Sequence, residues 1–356
     1  MKAFILCAGV GSRLRPLTFH FPKASIPFLN LPLFYYNWFY LEKMGLKHAI
    51  LNSHLFPETL KETVHKAKNS KQKVSFSFEP QSLGSAGGLF SLKSHFIEDN
   101  SFLYLNGDSL FFPSEKAGLS DFLVHGEKAP LGCFWAAPFA PSQSISRALW
   151  IDKDSILRAI GGIDQVHQAG FKAKYSKDLT NGELRPVQFS GLALFKKEIF
   201  KFLSPKTNHI FHNVTIPLIS KGAFKVFPDE KGVIFEGGEI PELLNATKHC
   251  LDSLFSKRSP FIRNWLLEIF QRFDPTDETV GLKRGEQLGK EKKALVLCPK
   301  SVNGLSRLQV KNFAVLGKGV CLKGNSILTS SIIGEHISWR GAVENQMLLK
   351  FYFEML

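Results

Sequence analysis

Over its first two thirds the chain alternates short apolar runs with helical patterns. Runs at Ala3–Cys7, His48–Asn52, Val74–Phe78, Phe102–Leu105, Leu131–Ala136, Val187–Phe195 and Phe224–Phe227 have strand length, and several are apolar throughout. A continuous apolar strand is one buried on both faces, which requires helices above and below the sheet. Helical patterns fill the gaps at Leu33–Met44, Pro57–Ala67, Ala86–Leu92 and Glu198–Leu203. The alternation predicts an α/β fold with a doubly wound, mostly parallel sheet. In such sheets ligands bind beyond the carboxyl ends of the strands, so the loops after Cys7 and Leu105 are the first places to look for a site.

From Pro241 to about Arg272 the pattern is helical. Asp274–Lys293 is charged, holds Gly and Pro, and lacks apolar periodicity, which reads as a linker. Beyond it, aliphatic residues recur every six positions at Val310, Leu316, Leu322 and Leu328. A second set with the same period runs one residue behind: Val315, Ile327 and Ile333, with Cys321 completing it. This hexapeptide rhythm predicts a short left-handed β-helix-like domain, with a small sheet of hairpins as the alternative. The expected division is 1–273, a linker at 274–293, and a tail at 294–356. The tail holds too few coils for an acyl-donor site of its own, and His336 is its one histidine. Homo-oligomerisation, or bracing of the larger domain, is the expected role.

Lys plus Arg number 45 against 31 Asp plus Glu, a net charge of +14. That favours anionic partners: phosphorylated metabolites, nucleic acid or acidic lipid. The 33 Phe are not interleaved with basic residues in a recognition motif, so they are assigned to the core and nucleic acid is not an expected partner. The five Cys are widely spaced and form no C-x-x-C pair, which argues against a disulfide framework or a structural zinc site and for a reducing cytoplasm. The apolar run Ala3–Val10 is short for a signal peptide and is followed by Arg13 and Arg15, so a buried first strand explains it better. No run approaches the roughly 18 apolar residues of a membrane span, and no membrane partner is expected.

The most informative segment is L-C-A-G-V-G-S-R-L-R-P-L-T-F-H-F-P-K, Leu6 to Lys23. Gly9 and Gly11 remove side chains where the backbone bends after the first strand, so that N–H groups can cradle phosphate oxygens. From Met1 to Leu41 there is no Asp or Glu, while Lys2, Arg13, Arg15 and Lys23 are cationic. The pattern is not a Walker A loop. Nor is it a dinucleotide fingerprint, because Leu14 stands where that motif needs its third Gly.

This run resembles the signature of the sugar-1-phosphate nucleotidylyltransferases, which make nucleotide sugars. Gly45–Leu55 is similar to that family's second strand and its Asn-containing exit. Leu83–Gly88 (L-G-S-A-G-G) is similar to its L-G-T-A-G loop, Leu105–Ser109 (L-N-G-D-S) to its metal-binding strand end, and Phe189–Gly191 to its F-x-G sugar pocket. The mannose-1-phosphate guanylyltransferase-like and N-acetylmuramate-1-phosphate uridylyltransferase-like subgroups are the nearest in pattern. The resemblance implies a nucleotide-diphospho-sugar transferase-like fold and Mg²⁺-dependent reaction of a nucleoside triphosphate with a sugar-1-phosphate. Leu6, Ala8, Gly9, Gly11, Ser12, Gln81, Gly84, Ser85, Ala86 and Gly87 would line the nucleotide. Arg13, Lys23 and Asp108 would be catalytic, Gly191 and Lys177 would meet the sugar phosphate, and Asp108 and Glu236 would hold the metal.

Two departures stand out. The family's D-x-G-T-P segment is matched by F-E-G-G-E-I-P, with Glu236 in the Asp place and Glu239-Ile240 interrupting it. No Glu-Lys pair precedes Phe189–Gly191; Lys177 is nearest in spacing, with Lys172 and Lys174 as rivals. These departures leave open a second reading, a catalytically silent relative that binds nucleotide sugar or a partner subunit in regulation.

Overall fold

The computed structural model describes residues 1–68, 71–115, 118–139, 148–161, 183–235, 237–255, 259–276, 282–284, 295–334 and 336–348. They form two compact units. The first comprises Met1–Val10, Tyr40–Pro57 and Lys68–Ile234, and the second Gly11–Phe39, Glu58–Ala67 and Phe235–Leu356.

The first unit is built on a mixed sheet whose main path runs Leu157–Ile160, Ala148–Ile151, Arg185–Lys196, Ser101–Asn106, Lys2–Leu6, His48–Ser53, Lys73–Phe78. Lys2–Leu6 lies parallel between His48–Ser53 and Ser101–Asn106, and Lys73–Phe78 extends this parallel half. Ala3, Phe4 and Ile5 are fully buried, as an all-apolar central strand requires. Arg185–Lys196 runs antiparallel to Ser101–Asn106, Gly132–Pro138 and Ala148–Ile151. Because the four strands of the other half are parallel, all leave the sheet at one edge. Cys7, Asn52–Ser53, Glu79 and the Gly107–Asp108 turn therefore come to that edge together.

All seven expected strands are present. The hairpin of Ala148–Ile151 and Leu157–Ile160 is additional. Leu33–Lys43, Pro57–Ala67 and Gly84–Ser91 are α-helices, as the patterns indicate. The fourth, expected at Glu198–Leu203, is instead a 3-10 helix at Lys197–Phe202. So few residues between a strand and the Ser204 turn cannot repay α-helical nucleation, whereas a tight turn still buries Ile199 and Phe200.

The phenylalanines pack the core. Phe102 meets Phe96, Phe200 and Phe195 at ring-centroid distances of 4.6, 5.5 and 6.2 Å. Phe134 meets Phe189, Phe211, Phe224 and Phe195 at 5.4 to 5.8 Å. These tilted, edge-on and stacked pairs add to the stabilisation from burial alone.

In the second unit, helices Ile240–Phe255 and Pro260–Phe273 pack on one another, and the first also packs on the tail strands Leu295–Leu297 and Cys321–Ile333. The tail strands pair in parallel, with Leu295 opposite Phe313 and Val310 opposite Leu328, each eighteen residues on. Eighteen is three hexapeptides, so the sequence period becomes one stacked coil and the tail is β-helix-like. Val310, Leu316, Leu322 and Leu328 all point into its core. In the second set Val315 and Ile333 are buried, whereas Cys321 and Ile327 are only partly so. Within the charged stretch 274–293, Leu282–Arg284 pairs antiparallel with Leu295–Leu297 and so belongs to this sheet.

The segment Gly11–Phe39 is held by these same elements. Asn30 donates from Nδ2 to the Leu316 carbonyl at 2.7 Å, Tyr35 packs on Phe273 with ring centroids 4.6 Å apart, and Phe39 meets Trp265 edge-on. Among the described residues no helix is long and apolar enough to cross a membrane.

Phe102 is fully buried against three rings, so Phe102→Ala is expected to lower unfolding free energy by about 3–5 kcal/mol, measured by denaturant titration.

Candidate active site

The strand-end loops of the first unit interlock. Leu6 ends the first strand, and its carbonyl accepts from Gly107 N at 3.0 Å. This brings the L-N-G-D-S turn against the start of the glycine bend. Cys7 and Ala8 are buried, whereas Gly9 is exposed. Asp108 is half-buried beyond Gly107, and its charge reaches its neighbours. Burial pushes the Cys7 thiol up, and the Asp108 carboxylate adds to the shift. The Tyr104 phenol is also raised, chiefly by burial and then by Asp108, against a hydrogen bond from Ser85.

Gly191 sits where Arg185–Lys196 shifts register against Gly132–Pro138, between Phe189 and Ala193. Such bulges re-aim a strand and are frequent beside active sites. Its φ is +93°, and a Cβ there would stand 1.8 Å from Ser109 Oγ. Only glycine allows the F-x-G turn to lie on the turn that carries Asp108.

A buried relay joins the other strand ends. Cys7 N donates to Asn52 Oδ1 at 2.8 Å, and Asn52 Nδ2 donates to Glu79 Oε1 at 2.8 Å. Glu79 Oε2 accepts from Leu83 N at 2.9 Å, at the mouth of helix Gly84–Ser91. Asn52 is fully buried and Glu79 is 2% exposed. Sequence reasoning noted the Asn-containing exit but missed Glu79. The only signal was a carboxylate directly after an apolar strand and directly before the E-P-Q-S-L-G turn.

The Gly84–Gly87 loop carries a further contact. Ala86 N donates to the Asn208 carbonyl at 3.2 Å, and Ile210 N donates to Ser85 Oγ at 3.0 Å. These donors and acceptors are engaged by residues 208–210. Gln81 is exposed.

In the second unit the bend continues through Gly11, with φ +64°, whose carbonyl accepts from Thr18 Oγ1 at 2.8 Å and Leu14 N at 2.9 Å. A Cβ at Gly11 would stand 2.7 Å from Thr18 Cγ2, so the turn requires glycine. Ser12 and Arg13 are exposed. The Arg13 guanidinium packs on Gly238 and lies 3.8 Å from Glu239. Both partners are half exposed, so water screens this pair and an anionic ligand can compete for Arg13. Lys23 opens a 3-10 turn at Lys23–Ser25 and is partly buried; Ser25 Oγ meets Thr63 Oγ1 at 2.7 Å. Lys177, its rivals Lys172 and Lys174, and Glu236 lie outside the described residues.

Among the described residues no three His, Cys, Asp or Glu side chains cluster into a metal cage. Mg²⁺ needs none: it is commonly held by one or two carboxylates, with phosphate oxygens and water completing the shell. A half-buried aspartate at a strand end fits that requirement.

These loops sit on an α/β fold with a mixed, mostly parallel sheet. Residues 2–136 match the Nucleotidyl transferase family model. The mannose-1-phosphate guanyltransferase of Kluyveromyces lactis is 28% identical over 270 residues, covering 73% of this chain and 67% of that protein. The Xenopus tropicalis mannose-1-phosphate guanylyltransferase catalytic subunit beta is 38% identical over 120 residues, a match spanning 33% of each chain. Among solved structures, HddC from Yersinia pseudotuberculosis, in complex with GMP-PN, superposes with TM-score 0.53 at 20% identity, covering 70% of this chain and 98% of that one. An Acinetobacter UDP-glucose pyrophosphorylase superposes with TM-score 0.57 at 15% identity, covering 75% and 99%. These two likenesses show the fold.

Gly191→Ala is expected to lower stability by more than about 2 kcal/mol, from the positive φ together with the clash on Ser109. Adding Ser109→Gly is expected to recover the clash part only, as read by denaturant unfolding of the single and double variants.

Proposed function

We propose that this chain makes a nucleotide sugar from a nucleoside triphosphate and a sugar-1-phosphate, releasing pyrophosphate. The observation that carries the reading is the interlocked edge itself: a glycine bend, the L-N-G-D-S turn and the F-x-G bulge meet at the carboxyl ends of the parallel strands. A mannose-1-phosphate and guanosine triphosphate pair is the first to test, because the curated relatives carry that activity in their names. Their names also favour turnover over a silent regulatory relative.

The chemistry brings two anions together, a sugar phosphate and the α-phosphate of the triphosphate. Such a reaction needs charge neutralisation and alignment more than covalent catalysis. Backbone N–H groups of the Ala8–Ser12 bend would receive phosphate oxygens. Arg13 would steady the departing pyrophosphate, and Lys23 would neutralise charge on the phosphates. Asp108 would hold Mg²⁺, with Glu236 as a second carboxylate; the ion would screen the phosphate charge during attack. Lys177 would meet the sugar phosphate and Gly191 would leave room for the sugar. Gln81 and the Gly84–Gly87 loop would border the base and ribose. All five cysteines are free thiols, in keeping with a reducing, cytoplasmic setting.

The three-part division of the chain, at 273 and 293, is part of this reading. The tail is assigned a bracing role for Gly11–Phe39 through the buried Asn30–Leu316 contact, alongside homo-oligomerisation. No membrane or nucleic-acid partner is required.

Asp108→Asn and Lys23→Ala are each expected to lower kcat at least about a hundredfold with little change in thermal stability, followed by coupled pyrophosphate release. Chelating divalent metal is expected to abolish release, and Mg²⁺ to restore it. Full turnover by Asp108→Asn would contradict the assignment.

A further inference from the structure

We propose that Glu79 is a positioning residue for the nucleotide, acting with Asn52 to set two backbone loops at once. The inference rests on the transferase reading and deepens it.

The relay has a fixed polarity. Cys7 N–H can only donate, so the Asn52 atom facing it is the carbonyl oxygen Oδ1. The Asn52 amide then faces Glu79, and Glu79 must accept at Oε1. Leu83 N–H also only donates, so Glu79 must accept again at Oε2. A carboxylate is the one side chain of this length that accepts at both ends; glutamine accepts at one. No solvent can repair a mismatch, since Asn52 is fully buried and Glu79 almost so. Space is also limited: a Cβ at Gly88 would stand 2.6 Å from Asn52 Nδ2 and 2.7 Å from Glu79 Oε1.

The two backbone donors bound by the pair are not arbitrary. Cys7 immediately precedes the glycine bend, and Leu83 immediately precedes Gly84. These are the two loops assigned to the nucleotide in the first unit. The two ends of one relay therefore hold two loops that come from strands on different positions of the sheet. The main chain of Glu79 is itself tied down: its N–H donates to the Ser53 carbonyl at 2.8 Å, and its carbonyl meets His54 Nδ1 at 2.8 Å. The residue is thus a rigid spacer, and it needs no contact with substrate to affect binding.

The test is a polarity swap. Glu79→Gln leaves either Asn52 or Leu83 facing a second donor. Asn52→Asp places two carboxylates against each other. In the double variant Asp accepts from Cys7 N–H and from the Gln amide, and the Gln carbonyl accepts from Leu83 N–H, so all three hydrogen bonds return with only the middle one reversed. Each folded single variant is expected to raise KM for the nucleoside triphosphate about tenfold or more with kcat much less affected, the loss expected for one mismatched buried hydrogen bond. The double variant is expected to recover most of that loss. Amide exchange at Cys7 and Leu83 should accelerate in the singles and slow again in the double. If the singles lose thermal stability but keep the wild-type KM, the positioning role is overturned. If the double is as impaired as the singles, the relay is overturned; should the singles fail to fold, recovery of KM and exchange in the double still decides. A wild-type chain that turns over no triphosphate overturns the transferase reading first, and the positioning role with it.

Discussion

Parallel strands discharge their ends on one edge of a sheet, and backbone donors stranded at that edge must be satisfied without water. Here the two side chains Asn52 and Glu79 meet this constraint. They take up the N–H groups of Cys7 and Leu83 and so bind the exits of the first, second and third parallel strands into one hydrogen-bonded rim. Removing either group would leave a buried donor unpaired, a loss on the order of 1–3 kcal/mol. The glycine bend and the Gly84 helix start inherit their positions from this rim, and the L-N-G-D-S turn joins it through Gly107 N and the Leu6 carbonyl.

The signature run of the sequence crosses from the first unit into the second. The bend starts in the first unit and continues in the second, where Arg13, Lys23 and their supporting turns lie with the C-terminal helices and the β-helix-like tail. The tail is thus part of the scaffold that holds Arg13 and Lys23. Asn30 reaches Leu316 through a buried hydrogen bond, Tyr35 packs tilted on Phe273, and Phe39 meets Trp265 edge-on. Arg13, paired loosely with Glu239 in water, keeps a guanidinium that an anion can claim.

Much of this was legible in the residues. Seven strands were readable because each is a run of strand length alternating with helical patterns, and several are apolar throughout, as a sheet buried on both faces requires. The hexapeptide rhythm was readable because stacking repeats it at eighteen residues. Gly11 stood out as a bend directly after an apolar strand, and Gly191 through the F-x-G resemblance; at both the structure has a positive φ and a neighbour too close for a Cβ. Other features depend on contacts far along the chain. The Ala148–Ile151 and Leu157–Ile160 hairpin is short and its turn is charged, so it resembles a loop. Glu79 reads as a solvated acid before a proline until Asn52 and Leu83 are brought to it. Ala86 and Ser85 read as open backbone and hydroxyl until residues 208–210 meet them.

The central claim is that this edge supports nucleotidyl transfer. The most direct measurement is product analysis by mass spectrometry after incubating the full chain and Mg²⁺ with each common nucleoside triphosphate and a set of sugar-1-phosphates. The account predicts one nucleotide sugar appearing in step with one pyrophosphate for a preferred pair. Tight triphosphate binding with neither product, across the whole set, would contradict it.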